Sequence, residues 1–268
     1  MKRMFAFGCS FTSYGWPTWA DIVGQSFDYY ENWGLQGSGN YLISSRITEC
    51  DSINKITKDD VVLVMFTSIP RIDFYNGYQW SKNGNIFNRH SRQFEDDWRD
   101  NNWSFTQGFY NTWIAIKQAK LLLESLGCEY KFMKAFDISS STIDDTVLSN
   151  GFVMQPNEKL FYETYDADIN SYFIDEPTML GWLQENISSP DNYALYTFKK
   201  AGNNINYTDY HPTIKHHELW CSTFLSKYYT NKLNPVVIEN NIPLDDNAMI
   251  GGHSFNLKRN FGKFLLGR

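Results

Sequence analysis

The chain has 268 residues, 42% of them hydrophobic and 17% aromatic, with 9 Trp, 17 Tyr and 20 Phe, enough to bury a sizeable core in one large domain. Its net charge of -6 comes without a long single-sign run, which argues against non-specific nucleic-acid binding as its main task. No stretch approaches the ~20 apolar residues of a membrane span, and the opening "MKRMFAFGCS" has too short an apolar run for a secretion signal and no cleavage site of small residues.

In chain order, Lys2 to Phe7 reads as a short buried strand that stops at Gly8. "WPTWADIVG", from Trp16, reads as a short helix with Pro17 near its first turn and Gly24 as its stop. "FDYYEN", from Phe27, is a second strand. The Gly-rich "WGLQGSGN" then leads into a helical segment, "YLISSRITEC". "DDVVLVMF", Asp59 to Phe66, is a continuous β-branched and apolar run and so the clearest buried strand. From Gln107 to Leu126 the apolar spacing of Phe109, Trp113, Ile116, Leu123 and Leu126 is that of one helix face. "CEYKFMKAF" is another strand, and "PTIKHHELWCSTFLSKYY" places Ile214, Trp220, Phe224 and Tyr228 on one face of a late helix. Strands alternating with helices predict an α/β fold with a mostly parallel central sheet covered on both sides.

Two stretches break the alternation. Residues 74–106 and 137–208 are rich in aromatic and amide side chains with little periodicity, "FYETYDADINSYF" being the aromatic centre of the second. Long irregular segments of this kind serve as lids or binding surfaces. The reading is one domain over 1–232 carrying these two insertions, with a C-terminal extension over 233–268 that ends in the basic, apolar "LKRNFGKFLLGR". That extension is a surface for a second copy of the chain or for an assembly partner.

The four cysteines, Cys9, Cys50, Cys128 and Cys221, form no C-x-x-C pair. They make neither a zinc site nor a disulfide framework, and reduced thiols in a cytoplasmic setting are the default. The sequons at Asn102, Asn186 and Asn206 lack a secretory context.

The chemistry begins at Gly8-Cys9-Ser10. A serine just after a strand and at the start of a helix projects its hydroxyl from the carboxyl edge of the sheet, where open α/β folds place ligands. Its N–H lies at the positive helix end, ready for a developing oxyanion. An isolated serine there is more often an N-cap, so a nucleophile needs partners. The chain has five histidines: His90, His211, His216, His217 and His253. In "TDYHPTIKHHELW", Asp209 stands two residues before His211, a spacing that points both the same way in extended chain. A carboxylate there would fix the imidazole tautomer, as in a Ser-His-Asp triad. Asp-x-His alone also fits a turn with a satisfied histidine. His216 and His217 read as structural residues of the helix that follows. In "NWGLQGSGN" the tight turn lets the Gly37 N–H approach a ligand, although such glycines also make ordinary turns. Neither the dinucleotide fingerprint nor the phosphate-binding loop is present.

Taken together and in order, these blocks resemble the SGNH (GDSL-type) hydrolases. Gly8-Cys9-Ser10-Phe11-Thr12 is similar to the family's opening Gly-Asp-Ser block, in the "GCSFT" form of short bacterial and phage-type members. Asn32 to Asn40 resembles the second block, with Gly37 as an oxyanion-hole glycine. Asp209-Tyr210-His211-Pro212 resembles the last block. The resemblance implies a three-layer α/β/α sandwich, flavodoxin-like in its winding, with long insertions. It also implies a catalytic Ser10, His211 and Asp209, and no metal or organic cofactor. For the phage-type members it admits a place in a virion.

The family's third block, Gly-x-Asn-Asp, is missing. After the strand ending at Phe66 stands "TSIPRID". Thr67 or Ser68 then replaces the asparagine that donates to the oxyanion, a loss worth on the order of 3 kcal/mol if nothing substitutes. Arg71 would contact an anionic or sugar part of a substrate, or form a surface ion pair with Asp73. The leading function is removal of a small acyl group, acetyl first among them, from a carbohydrate or similar polar ester. A feeble or inactive binding and assembly protein on the same fold, and an O-acyltransferase, are the alternatives.

Overall fold

Val61–Phe66 is an unbroken run of buried apolar side chains, a pattern that is stable as a strand covered on both faces. It forms the third strand, β3, of a sheet whose other members are β1 (Arg3–Gly8), β2 (Tyr29–Asn32) and β4 (Glu129–Lys134). The computed structural model describes residues 1–14, 16–75, 77, 80, 84, 96–141, 156–173, 176–187, 196–199, 206–209 and 211–229. The strand order is β2-β1-β3-β4 and every pairing is parallel. The helices are α1 (Trp19–Gly24), α2 (Asn40–Asn54), α3 (Asp96–Asn102), α4 (Phe105–Leu126), α5 (Pro156–Asn170), α6 (Met179–Asn186) and α7 (Ile214–Phe224).

Alternation along the strands divides the core into two. Phe5, Phe7, Val62, Val64 and Phe66 pack with Ile43 and Ile47 of α2, Phe109 and Ile116 of α4, and Tyr162 and Tyr165 of α5. Met4, Ala6, Leu63 and Met65 point the other way, onto Trp19 and Ile22 of α1, Leu183 of α6, and Trp220 and Cys221 of α7. Residues two apart share a face of a pleated sheet, so each central strand feeds both layers. The result is a three-layer α/β/α sandwich, as the alternation of elements implies.

The chain leaves β1 towards β2 on one side and returns to β3 on the other, so the order reverses between β1 and β3. In open parallel sheets the crevice at the carboxyl ends of the strands flanking such a switch is the ligand-binding place. The last β1–β3 pair is Gly8 with Met65, and two residues beyond them stand Ser10 and Thr67.

Pro17 stands just before α1, whose N-cap is Thr18; the Thr18 backbone N–H donates to the Asp21 carboxylate at 2.8 Å. Two expectations are corrected. The stretch expected to be irregular from 137 to 208 contains α5 and α6, and the one from 74 to 106 contains α3. In α5 the buried positions Tyr162, Tyr165 and Ile169 recur at helical spacing. Acids between them, Glu163, Asp166 and Asp168, hide the period. Tyr228 is buried but lies beyond α7, which ends at Phe224.

Outside the main sheet, β5 (Tyr196–Lys199) and β6 (Asn206–Asp209) pair antiparallel. The extension 233–268 and most of 76–95 lie outside the described residues. Among the described residues no helix is long and apolar enough to cross a membrane, and all four cysteines are buried free thiols.

Candidate active site

β1 ends at Gly8, where nothing larger fits. A Cβ there would lie 2.0 Å from Thr12 Oγ1 and 2.9 Å from the Met65 carbonyl. The next residues close a single turn, with the N–H groups of Thr12 and Ser13 donating to the Cys9 carbonyl at 3.0 and 3.1 Å. Ser10 therefore sits in an isolated turn, and α1 begins only at Trp19. This corrects the expectation of a serine at a helix N-terminus. The positive end of a long helix is absent, whereas the leading N–H groups of a turn are still left over. Among the described residues no hydrogen bond involves the Ser10 N–H or hydroxyl. Ser10 is 7% exposed.

Buried polar side chains fix this turn. Asn32, fully buried at the end of β2, donates from Nδ2 to the Thr12 carbonyl at 2.8 Å and accepts from the Gly34 N–H at 3.0 Å. It thereby ties the serine turn to the Gly-rich loop. The same loop is anchored to β1 by the Leu35 N–H donating to the Gly8 carbonyl at 3.0 Å. Gly37 follows at φ 78°, a left-handed conformation that other residues adopt at a cost. No hydrogen bond among the described residues uses its N–H.

His211 comes from the far end of the chain to the same place. Its ring stacks on Tyr14 with centroids 3.8 Å apart and an interplanar angle of 18°, and meets Phe11 edge-on at 5.8 Å. The next residue is held as well, since the Pro212 carbonyl accepts from Trp16 Nε1 at 2.8 Å. The imidazole thus rests on two side chains that follow Ser10, Phe11 next to it and Tyr14 just past its turn, although no hydrogen bond joins His211 to Ser10 itself. The backbone of Asp209 ends β6, paired with Tyr196. The Asp209 side chain and Tyr210 lie outside the described residues, as do His90 and His253.

The other two described histidines lie in α7. His216 Nδ1 accepts from the Thr213 N–H at 3.3 Å at the start of α7. His217 is 1% exposed, and burial, followed by the nearby His216 and His211, holds it well below the usual imidazole range.

Behind β3, Asn40 makes a reciprocal pair with Thr67. Its Oδ1 accepts the Thr67 N–H at 2.8 Å, and its Nδ2 donates to the Thr67 carbonyl at 3.0 Å and to Thr112 Oγ1 at 3.1 Å. Thr67 Oγ1 is buried without a hydrogen-bond partner. Ser68 follows, half-buried.

Arg71 and Asp73 do not form the surface ion pair expected of them. Arg71 Nη1 donates to the Ser38 carbonyl at 3.0 Å. The two oxygens of Asp73 accept the Gly39 and Leu42 N–H groups at 2.6 and 2.9 Å, so Asp73 caps α2 from outside the helix. Burial pushes its carboxyl up, against the pull of those N–H groups and of Arg71 and Arg46. Asn32 and Asn40 lie within a loop already marked as functional. Nothing local in the sequence signals the cap from Asp73, which reaches 34 residues back along the chain. Among the described residues no group of three or more His, Cys, Asp or Glu is placed to hold a metal ion.

The chain matches no sequence-family profile and no curated protein. Solved structures similar to it over most of its length include two from bacteria. One is a catalytic mutant of an acetylxylan esterase from Geobacillus stearothermophilus, 16% identical, covering 86% of this chain and 94% of that one with a TM-score of 0.43. The other is a member of the lipolytic protein G-D-S-L family from Veillonella parvula, 12% identical, covering 84% and 99% with a TM-score of 0.42.

Proposed function

We propose that the protein is a serine ester hydrolase that removes a small acyl group, such as acetyl, from a carbohydrate or similar polar alcohol. Ser10 Oγ attacks the ester carbonyl carbon while His211 accepts the hydroxyl proton. Collapse of the tetrahedral intermediate breaks the bond to the alcohol, which leaves with the proton from His211. Water then repeats the sequence on the acyl-serine and releases the acid. Asp209 orients the imidazole and stabilises its charged form. The N–H groups of Ser10 and Gly37 receive the oxyanion, and the Thr67 hydroxyl, with Ser68 beside it, stands in for the missing asparagine donor.

One observation carries this reading. The His211 ring is packed on Phe11, inside the Ser10 turn, and on Tyr14, just beyond it, at the switch point of the sheet. The lack of a direct Ser10–His211 hydrogen bond is compatible with it, because such bonds are often long without substrate and tighten with it. Hydrolysis of p-nitrophenyl acetate by the wild type and by Ser10→Ala is the test. The wild type turns over, and the variant falls to the background rate. Equal rates in the two proteins remove the proposal.

A second reading rests on Thr67. With a threonine in place of the asparagine, the fold would serve binding or assembly with little catalysis. Equal rates in that assay, together with a folded protein, are its signature.

A further inference from the structure

The space between the N-terminal halves of α2 and α4 takes no part in the chemistry above. It is a cavity of about 370 Å³, within the ~300–1,000 Å³ typical of small-molecule sites. Its walls include three aromatic rings, Tyr41, Trp103 and Tyr110, with the amide of Asn111 and the charged pair Arg71 and Asp73. Tyr41 and Tyr110 are 56% and 50% exposed, which puts broad ring faces in water beside polar groups.

The two charges at this cavity are not matched. Both oxygens of Asp73 already serve the N-terminus of α2, where the helix dipole offsets a negative charge. Among the described residues Arg71 spends only Nη1, on the Ser38 carbonyl, and its Nε is buried without a partner. A guanidinium with donors to spare favours a carboxylate over a neutral group. Residues of the cavity wall are also tied to the candidate active site. Ser38 adjoins Gly37, and Asn40, on the cavity wall, holds Thr67. Arg71 lies over the Phe136 ring at 5.8 Å, and Phe136 packs on Phe11 at 5.0 Å.

We infer that this cavity binds a sugar ring bearing a carboxylate, as in a uronic acid. The aromatic faces take the apolar face of the ring, Asn111 takes hydroxyl groups, and Arg71 takes the carboxylate. This deepens the esterase reading, on which it rests for its role: the ring is the non-reacting part of the ester. Binding is measured in Ser10→Ala, so it is scored independently of hydrolysis.

The test is calorimetric titration of Ser10→Ala with glucuronate, glucose and acetate. Glucuronate saturates one site, and glucose and acetate each bind at least about tenfold more weakly, the effect of losing one charge-assisted contact or the ring contacts. Adding Arg71→Gln weakens glucuronate about tenfold. Adding Tyr110→Ala, at an exposed position that leaves folding intact, weakens it severalfold. The inference is overturned if glucuronate does not saturate, if glucose or acetate binds as tightly, or if folded Tyr110→Ala binds like its parent. A failure of p-nitrophenyl acetate hydrolysis with glucuronate binding intact would instead remove the esterase reading alone.

Discussion

Thr67 is where the chain departs furthest from the hydrolase pattern, and its surroundings give the departure a physical shape. Asn40 grips both backbone groups of Thr67, and the hydroxyl is left buried with nothing to bond. A buried unpartnered hydroxyl costs about 1–3 kcal/mol, so a group kept in that state invites a use. Thr67→Val keeps the shape and removes the hydroxyl. It is expected to raise stability by about 1 kcal/mol while lowering kcat on p-nitrophenyl acetate by about 10²-fold at little change in KM, as for loss of one oxyanion donor. A stabilised variant with unchanged kcat would take Thr67 out of the mechanism. Ser10, Gly37 and His211 are visible in the sequence because each stands in a short block of restricted residues. Asn32 and Asn40 are legible only as members of such a block. Their targets, Thr12 and Thr67, become apparent once the strands fix the register.

At the scale of elements, the central strands follow from their apolar runs, the helices α4 and α7 from apolar spacing, and α2 from the Gly-rich loop that leads into it. The helix α5 does not, because its buried face is built of Tyr162, Tyr165 and Ile169 among acids, and a hydrophobicity pattern undercounts tyrosine. The turn at Ser10 was equally hidden. A serine after a strand fits a helix start, and only the bonds from Thr12 and Ser13 to Cys9 show that the turn stops after one cycle. Helix α7 carries a pH dependence of its own. His217 is buried between layers with Nδ1 unpartnered, and the fold holds it neutral by burial and by the neighbouring His216 and His211. An unfolded histidine takes up a proton near pH ~6.5. Below that pH the unfolded chain gains a proton that the fold refuses, so stability is full above about 6.5 and falls as the pH drops, by at most about 1.4 kcal/mol per pH unit. Urea unfolding at pH 7 and 5 is expected to show this loss in the wild type, and a smaller one in His217→Phe. An equal loss in both proteins would mean that other groups carry the acid sensitivity.

For the whole molecule, the packing of α7 on α1 brings the beginning of the chain and a segment some 200 residues later together beside the sheet. Trp16 and Pro212 are joined by a hydrogen bond across 196 residues of sequence, and α7 lies against α1 on the same layer. The fold thereby supplies what the short motifs lack singly, a serine turn and an imidazole brought together by packing. Reaction with a fluorophosphonate, followed by mass mapping of the adduct, reads that meeting directly. One adduct is predicted, on Ser10, forming at least about 10²-fold more slowly in His211→Ala, since the base no longer activates the hydroxyl. An adduct on another residue, no adduct at all, or the same rate without the imidazole would contradict the pairing on which the proposed chemistry depends.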